Sequence, residues 1–365
     1  MKIVIAPDSF KGSLSATGVI EAVAEGIRET APEAVLIAQP LSDGGEGTLE
    51  VLAHHGFEIH RVTVPGSWGQ PVVASFASRD GVVVIESAQA FGFVPGATAT
   101  HALEASSAGV GHVIREALKS GPTEILLAVG GTSGTDGGFG MLRALGAIGL
   151  DHKGDEIGEG GGALLTLASV DLTGLDPRLG RTRFRVLTDV TNPLLGRLGA
   201  AAVFAPQKGA DSAAVALLET GLARLAELVG QEVAERPGAG AGGGLAFAAM
   251  AALGASQESG ATAMIDITGV GDELRSADLV VTGEGSFDAQ SMGGKITGVV
   301  IEQARLQNIP VVVVCGVSQM SAAVSGVTVI EISASAPSIQ ESIEHPELYL
   351  REAGRTIGRM ASEGL

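Results

Sequence analysis

Five short apolar runs in this chain each end in an acid set among Gly, Ser and Thr. Residues 2–6 lead into Pro7-Asp8-Ser9-Phe10-Lys11-Gly12-Ser13, and residues 34–39 into Leu41-Ser42-Asp43-Gly44-Gly45-Glu46-Gly47-Thr48. Residues 124–129 lead into Gly130-Gly131-Thr132-Ser133-Gly134-Thr135-Asp136-Gly137-Gly138, and residues 183–187 into Thr188-Asp189-Val190. Residues 279–281 lead into Thr282-Gly283-Glu284-Gly285-Ser286-Phe287-Asp288, with Gly293-Gly294-Lys295 before a helix. Short Val/Ile-rich runs alternating with amphipathic stretches predict parallel sheets covered by helices, hence an α/β fold. Val19, Ile20, Val23 and Ile27 set a helix over 15–30, with Ser15 as its cap. Further helices are expected over 46–55, 108–119, 137–145, 212–228 and 297–307, and from about 346.

Residues 58–64, 71–77 and 81–86 read as consecutive strands with turns between them, which predicts antiparallel pairing. The two chain ends share the parallel βα character. The expected organisation is therefore two domains: a Rossmann-like parallel-sheet domain from 1–57 and 268–365, and an inserted α/β domain over 58–267. The active site is expected in the cleft between them. Residues 151–162 read as a polar surface excursion. The uncharged stretch 237–257 reads as a buried small-residue helix behind a Gly loop rather than a membrane span.

Composition narrows the function classes. A formal net charge of −18 repels nucleic acid and anionic membranes, and 3% aromatic residues leave few platforms for stacking bases. An anionic ligand needs local help, and lysine is scarce: Lys11, Lys208 and Lys295 stand in the Gly-rich motifs, with only Lys2, Lys119 and Lys153 elsewhere. Cys315 is the only cysteine, so no intrachain disulfide and no cysteine metal cluster can form. The N-terminal apolar run is too short for a signal peptide. A cytoplasmic location is expected.

Glycine lets backbone N–H groups approach an anion, and a helix N-terminus adds partial positive charge. Nearby carboxylates suit Mg²⁺, and lysine supplies a mobile charge for phosphate. Together these are the parts of phosphoryl transfer. Each motif has a plainer reading. Alone, 43–46 serves equally as a turn and acid-capped helix start, Lys208 as a solvated loop charge, and Asp288 with Gln290 as an ordinary turn. Gly238-Ala239-Gly240-Ala241-Gly242-Gly243 matches a dinucleotide fingerprint in letters, but no convincing strand precedes it. Gly294-Lys295 lacks the Ser or Thr and the upstream Gly of a P-loop.

Taken in order, the blocks 6–15, 41–48, 129–138, 189–194 with 206–209, and 282–288 with Gly294-Lys295 resemble those of the bacterial glycerate kinases of the first type, across essentially the whole chain. Residues 98–111 depart from the family's pattern, so no ligand role is carried to Ser106 or Ser107. The resemblance implies ATP-dependent phosphorylation of D-glycerate with Mg²⁺ on two α/β domains. It favours 2-phosphoglycerate over 3-phosphoglycerate as product.

The resulting expectation places glycerate at Asp8, Ser9, Lys11, Ser13 and Asp43. It places ATP at Gly130, Gly131, Thr132, Ser133, Gly134, Asp136, Gly283, Glu284, Gly285, Lys208 and Lys295, and the metal at Glu46, Asp189 and Glu284. Asp189 is the first choice for taking the hydroxyl proton, with Lys11 and Asp43 as further catalytic residues. The expected partner is a small-molecule substrate, with neither nucleic acid nor membrane. Oligomeric state stays open, a homodimer included. Three rivals stand beside this reading: a kinase for a related sugar acid, a non-catalytic sensor of a phosphorylated metabolite, and a nicotinamide dehydrogenase.

Overall fold

The computed structural model describes residues 1–45, 47–320 and 324–364. These form two compact units. The first comprises Met1–Asp43, Glu50–His55 and Ser259–Leu365; the second comprises Gly44–Leu49 and Gly56–Glu258.

The first unit is built on a five-stranded, fully parallel sheet. Its order is Val327–Glu331, Val311–Ser318, Leu279–Phe287, Lys2–Ile5, Val35–Ala38. Lys2–Ile5 lies at the middle of the chain's winding: its successor Val35–Ala38 is on one side, and the C-terminal strands run outward on the other. Ile3 pairs with Leu279, and Ile5 with Val281. The sheet is covered on both faces. One core gathers Ile3, Ile5, Val281 and Val314 against Val19, Val23 and Ile27. The other gathers Val4, Val280, Val313 and Cys315 against Val300 and Ile301.

The predicted cap holds: Ser15 Oγ accepts the Gly18 N–H at 3.3 Å and starts the helix Ala16–Thr30. That helix packs backbone to backbone on Pro346–Glu363. A Cβ on Gly26 would lie 1.9 Å from the Arg351 carbonyl oxygen, and one on Gly354 would lie 2.2 Å from that of Val23. Glu29 ties the exposed rim of the pair to Arg351 and Arg355.

The second unit has a six-stranded mixed sheet ordered Ser256–Glu258, Arg183–Leu187, Glu124–Ala128, Val82–Glu86, Pro71–Arg79, Glu58–Pro65. The last three form the expected antiparallel meander, with Phe76 opposite Ile85 and Val62 opposite Ala74. The other neighbours are parallel, with Ala128 opposite Leu187. The uncharged stretch forms the buried helix Leu245–Ala252. Residues 152–159 are mostly exposed, as expected of a surface excursion, and flanking Ile148–Asp151 pairs antiparallel with Leu167–Asp171 at its base. No helix among the described residues is long and apolar enough to cross a membrane.

The Gly26 contact yields a stability prediction. Alanine gains about 1 kcal/mol of helix propensity over glycine. Here its methyl group meets a carbonyl of a packed helix, and overpacking of this kind costs roughly 1–3 kcal/mol or more. Gly26→Ala is therefore expected to lower the urea midpoint of unfolding without changing the slope of the transition. A raised midpoint would mean that the two helices are not packed this closely.

Candidate active site

In an open parallel sheet, ligands bind beyond the carboxyl ends of the strands where the winding reverses. In the first unit that point lies between Lys2–Ile5 and Leu279–Phe287. The backbone beyond Ile5 stays in register with its neighbour: the Ala6 N–H donates to the Val281 carbonyl at 2.7 Å, and the Asp8 N–H to that of Gly283 at 2.9 Å. A tight turn follows. Phe10 and Leu14 exchange backbone hydrogen bonds at 2.8 and 2.9 Å, leaving Lys11 and Gly12 exposed at the tip.

A pocket of about 320 Å³ opens here, lined at one end by Asp8, Ser9, Lys11, Asp43, Glu284 and Lys295. All five sequence-predicted residues of the glycerate set, Ser13 included, thus share one pocket with Glu284, Gly285 and Lys295, which were expected to serve ATP or metal. Ser13 directs its hydroxyl away, donating to the Ile343 carbonyl at 2.7 Å. Thr282 to Phe287 were expected to form a loop. They continue the strand instead, because Val311–Ser318 offers a partner as far as Ser318, opposite Phe287. Glu284, opposite Cys315 in the ladder, and Gly285 therefore reach the pocket from within the strand, while Gly283 does not line it.

The charges in the pocket are interlocked. Lys11 Nζ lies 3.4 Å from Asp43 Oδ2, and Lys295 Nζ lies 3.8 Å from Glu284 Oε2. Burial, reinforced by Asp43, pushes the Asp8 carboxyl up to about 7; the Ser9 N–H donated to it at 2.7 Å and the Lys11 charge act the other way. Burial opposes the Lys11 charge, but the neighbouring Asp43 and Asp8 carboxylates win and hold the ammonium above its ordinary range. Burial likewise raises Glu284, with the Ser291 and Thr297 hydroxyls and then the Lys295 charge opposing. Asp8, Asp43 and Glu284 bring three carboxylates to one pocket, a donor set that fits Mg²⁺, which needs only one or two carboxylates when phosphate oxygens supply the rest.

In the second unit, the 130–138 loop and Asp189 leave the ends of adjacent parallel strands and so share one sheet edge. Gly130, Gly131 and Asp189 are exposed there. The rest of the loop is buried, and its expected ligand groups have other work. Asp136 accepts the Ser107 N–H at 2.8 Å, the Ser107 hydroxyl at 2.7 Å, and the N–H groups of Gly138 and Gly140 at 3.0 and 3.2 Å. Its carboxylate anchors the loop to the starts of two helices. Lys208, expected to counter phosphate charge, is 4% exposed and donates to Thr132 Oγ1 at 3.2 Å and the Gly134 carbonyl at 2.6 Å. The Ser133 hydroxyl pairs with that of Ser67 at 2.7 Å. The glycines serve packing: a Cβ on Gly243 would lie 2.0 Å from the Gly134 carbonyl oxygen, so the false dinucleotide fingerprint braces this loop. Glu46 lies outside the described residues.

Sequence reasoning missed the pocket's other wall. Ile332, Ile339, Ser342 and Ile343 line it together with Val317 and Phe10. The legible signal was the i, i+4 spacing of two isoleucines in an otherwise polar stretch, 338–345.

Comparison with known proteins gives these features a context. A model described as "Glycerate kinase family" matches residues 3–362. A relative named Glycerate 2-kinase from Escherichia coli (strain K12) is 44% identical over 326 residues, covering 87% of this chain and 85% of its own. One named Glycerate kinase from Bacillus subtilis (strain 168) is 38% identical over 371 residues, covering 98% and 97%. A crystal structure assigned as glycerate kinase 2 from Salmonella typhimurium LT2 superimposes with a TM-score of 0.86 at 38% identity, covering 100% of this chain and 99% of that one. With agreement from end to end in both sequence and fold, this chain belongs to the glycerate kinase family.

Proposed function

We propose that this chain is an ATP-dependent kinase that phosphorylates D-glycerate at its 2-hydroxyl, with transfer at the charged end of the first unit's pocket. The observation that carries this reading is the meeting of two lysines and three carboxylates at the switch point of a parallel sheet, in a chain of this family. The 2-position is favoured by the relative named Glycerate 2-kinase.

Lys11, at the exposed turn, holds the carboxylate of glycerate, with Ser9 and Asp43 beside it. Lys295 faces the phosphate chain, next to the Gly285 backbone. Mg²⁺, where bound, neutralises phosphate charge, and Glu284 with Asp43 or Asp8 is the set that would hold it. Asp8 sits in the pocket next to Lys11 and is placed to orient the hydroxyl or take its proton. Asp189, the other candidate for that role, is exposed at the sheet edge of the second unit with Gly130 and Gly131. Gly130 and Gly131 remain the part of their loop open to an anion.

An ADP-release assay with Mg²⁺-ATP and D-glycerate tests the activity, and phosphorus NMR identifies the product. Glycerate-dependent ADP with 2-phosphoglycerate is expected. 3-Phosphoglycerate would keep the reaction class and overturn the position. No turnover by folded protein would overturn the substrate.

The two proton-acceptor candidates separate by substitution. Asp8→Asn is expected to lower kcat by roughly 10²–10⁴-fold, the usual range for a lost general base. Asp189→Asn is expected to cost less than about tenfold. The reverse ranking would move the acceptor to the second unit.

Lys208 carries a pH prediction. Burial pushes its ammonium down to about 7, with Asp136 opposing. The folded value lies below the unfolded one, so above about pH 7 the unfolded chain binds more protons than the folded one. This group's contribution to stability therefore rises with pH from about 7 toward the ordinary lysine value of 10.5. Urea midpoints measured between about pH 7 and 9 should rise less steeply in Lys208→Met than in the parent chain. Parallel slopes would show that Lys208 stays charged in the fold.

A further inference from the structure

The pocket is split in character. Part of its lining is ionic. Part is aliphatic: Ile332 is 2% exposed, and Ile339 and Ile343, one helical turn apart, are 57% and 48% exposed. Both sit on Ile339–Glu344, and Val317 adds the end of a strand. The polar groups of this wall are spent internally: the Ser342 hydroxyl donates to the Ile339 carbonyl at 2.7 Å, and the Ser13 hydroxyl to that of Ile343. The Ser13 bond also fixes the helix end to the turn that carries Lys11.

Glycerate has no use for such a wall. It is a small acid with oxygen on every carbon, and the ionic end accommodates it. A pocket of about 320 Å³ lies in the size range of sites that bury ligands much larger than this, roughly 300–1,000 Å³. A ligand with an apolar, flat end and a highly charged end matches both halves, and a nucleoside triphosphate is such a ligand. Two exposed isoleucines on one face of a short helix gain by being covered.

We propose that Ile332, Ile339 and Ile343, with Val317, hold the nucleobase of the phosphoryl donor and so direct its phosphates toward Lys295. This rests on the kinase reading above and adds residues that the Gly-rich motifs do not contain. The base is gripped by aliphatic contact, and the 339–344 helix acts as its clasp.

Ile339→Asp tests this in the full chain, because the residue is exposed and the substitution leaves the core untouched. The KM for ATP is expected to rise about tenfold or more, with the KM for D-glycerate and kcat within about twofold. Ile343→Ala should act in the same direction, more weakly. Calorimetric titration gives a second readout without turnover: the parent chain should bind ATP at least about tenfold more tightly than inorganic tripolyphosphate, and Ile339→Asp should bring the two together. An unchanged KM for ATP, or an effect on D-glycerate instead, would overturn the proposal. Equal binding of ATP and tripolyphosphate by the parent chain would overturn it as well. If the parent chain binds ATP through this wall but never phosphorylates glycerate, the substrate reading fails and the nucleobase assignment stands.

Discussion

The parallel pairing of Lys2–Ile5 with Leu279–Phe287 is the contact on which the candidate site depends. It joins parts of the chain 276 residues apart. It also creates the reversal of winding at which a parallel sheet leaves space for a ligand. The pairing runs on past the strand proper, through the Asp8 N–H to Gly283 bond and through the Thr282 hydroxyl, which donates to the Ala6 carbonyl at 2.8 Å. Asp8 and Glu284 are thereby brought to one pocket on two strands whose relative position is fixed by main-chain hydrogen bonds. Non-local pairing of this kind carries a large loop-closure cost, and cores on both faces of the sheet offset it.

Glycine is abundant here for two different reasons. Around Lys11, and at Gly130 and Gly131, the backbone is open, as an anion site requires. Elsewhere the same residue lets chains touch. Gly243 meets Gly134, and the Gly137 N–H donates to the Gly243 carbonyl at 3.0 Å. Any side chain at these contacts would push two backbones apart, and in a close-packed interior that displacement has nowhere to go. Glycine density alone does not separate a phosphate cradle from a packing seam. Asp136 makes the same point for acids: its strand-end position suggested a ligand, yet four hydrogen bonds commit it to the starts of two helices.

The α/β class, the parallel ends and the antiparallel meander were legible because period and residue type are local signals. So was the set Asp8, Ser9, Lys11 and Asp43, since strand-end residues of a parallel sheet have few places to go. The continuation of Leu279–Phe287 through its glycines was not legible, because only the partner strand Val311–Ser318 makes that segment extended. Nor was the burial of Lys208, which depends on the Thr132 hydroxyl and the Gly134 carbonyl coming from 76 and 74 residues away. The aliphatic wall escaped for a related reason: 338–345 carries no Gly-rich motif, and its place at the pocket follows from Ser13 reaching the Ile343 carbonyl across 330 residues.

The electrostatics of the pocket suit a chain that must attract two anions while carrying a net charge of −18. Long-range steering works against such ligands, so the attraction has to be local. The two pocket lysines are not spent on tight ion pairs. Their separations of 3.4 and 3.8 Å exceed the roughly 2.7–2.9 Å of a well-formed charge-assisted hydrogen bond. Each ammonium is held in place by a carboxylate without being locked to it, and can turn to an incoming phosphate or carboxylate oxygen at little cost. With Lys295 turned away, Glu284 would then be the carboxylate to meet a divalent cation, were one to arrive with the phosphates. A site arranged this way exchanges one set of ionic partners for another without exposing a bare charge. This suits phosphoryl transfer, in which position and charge do most of the catalysis.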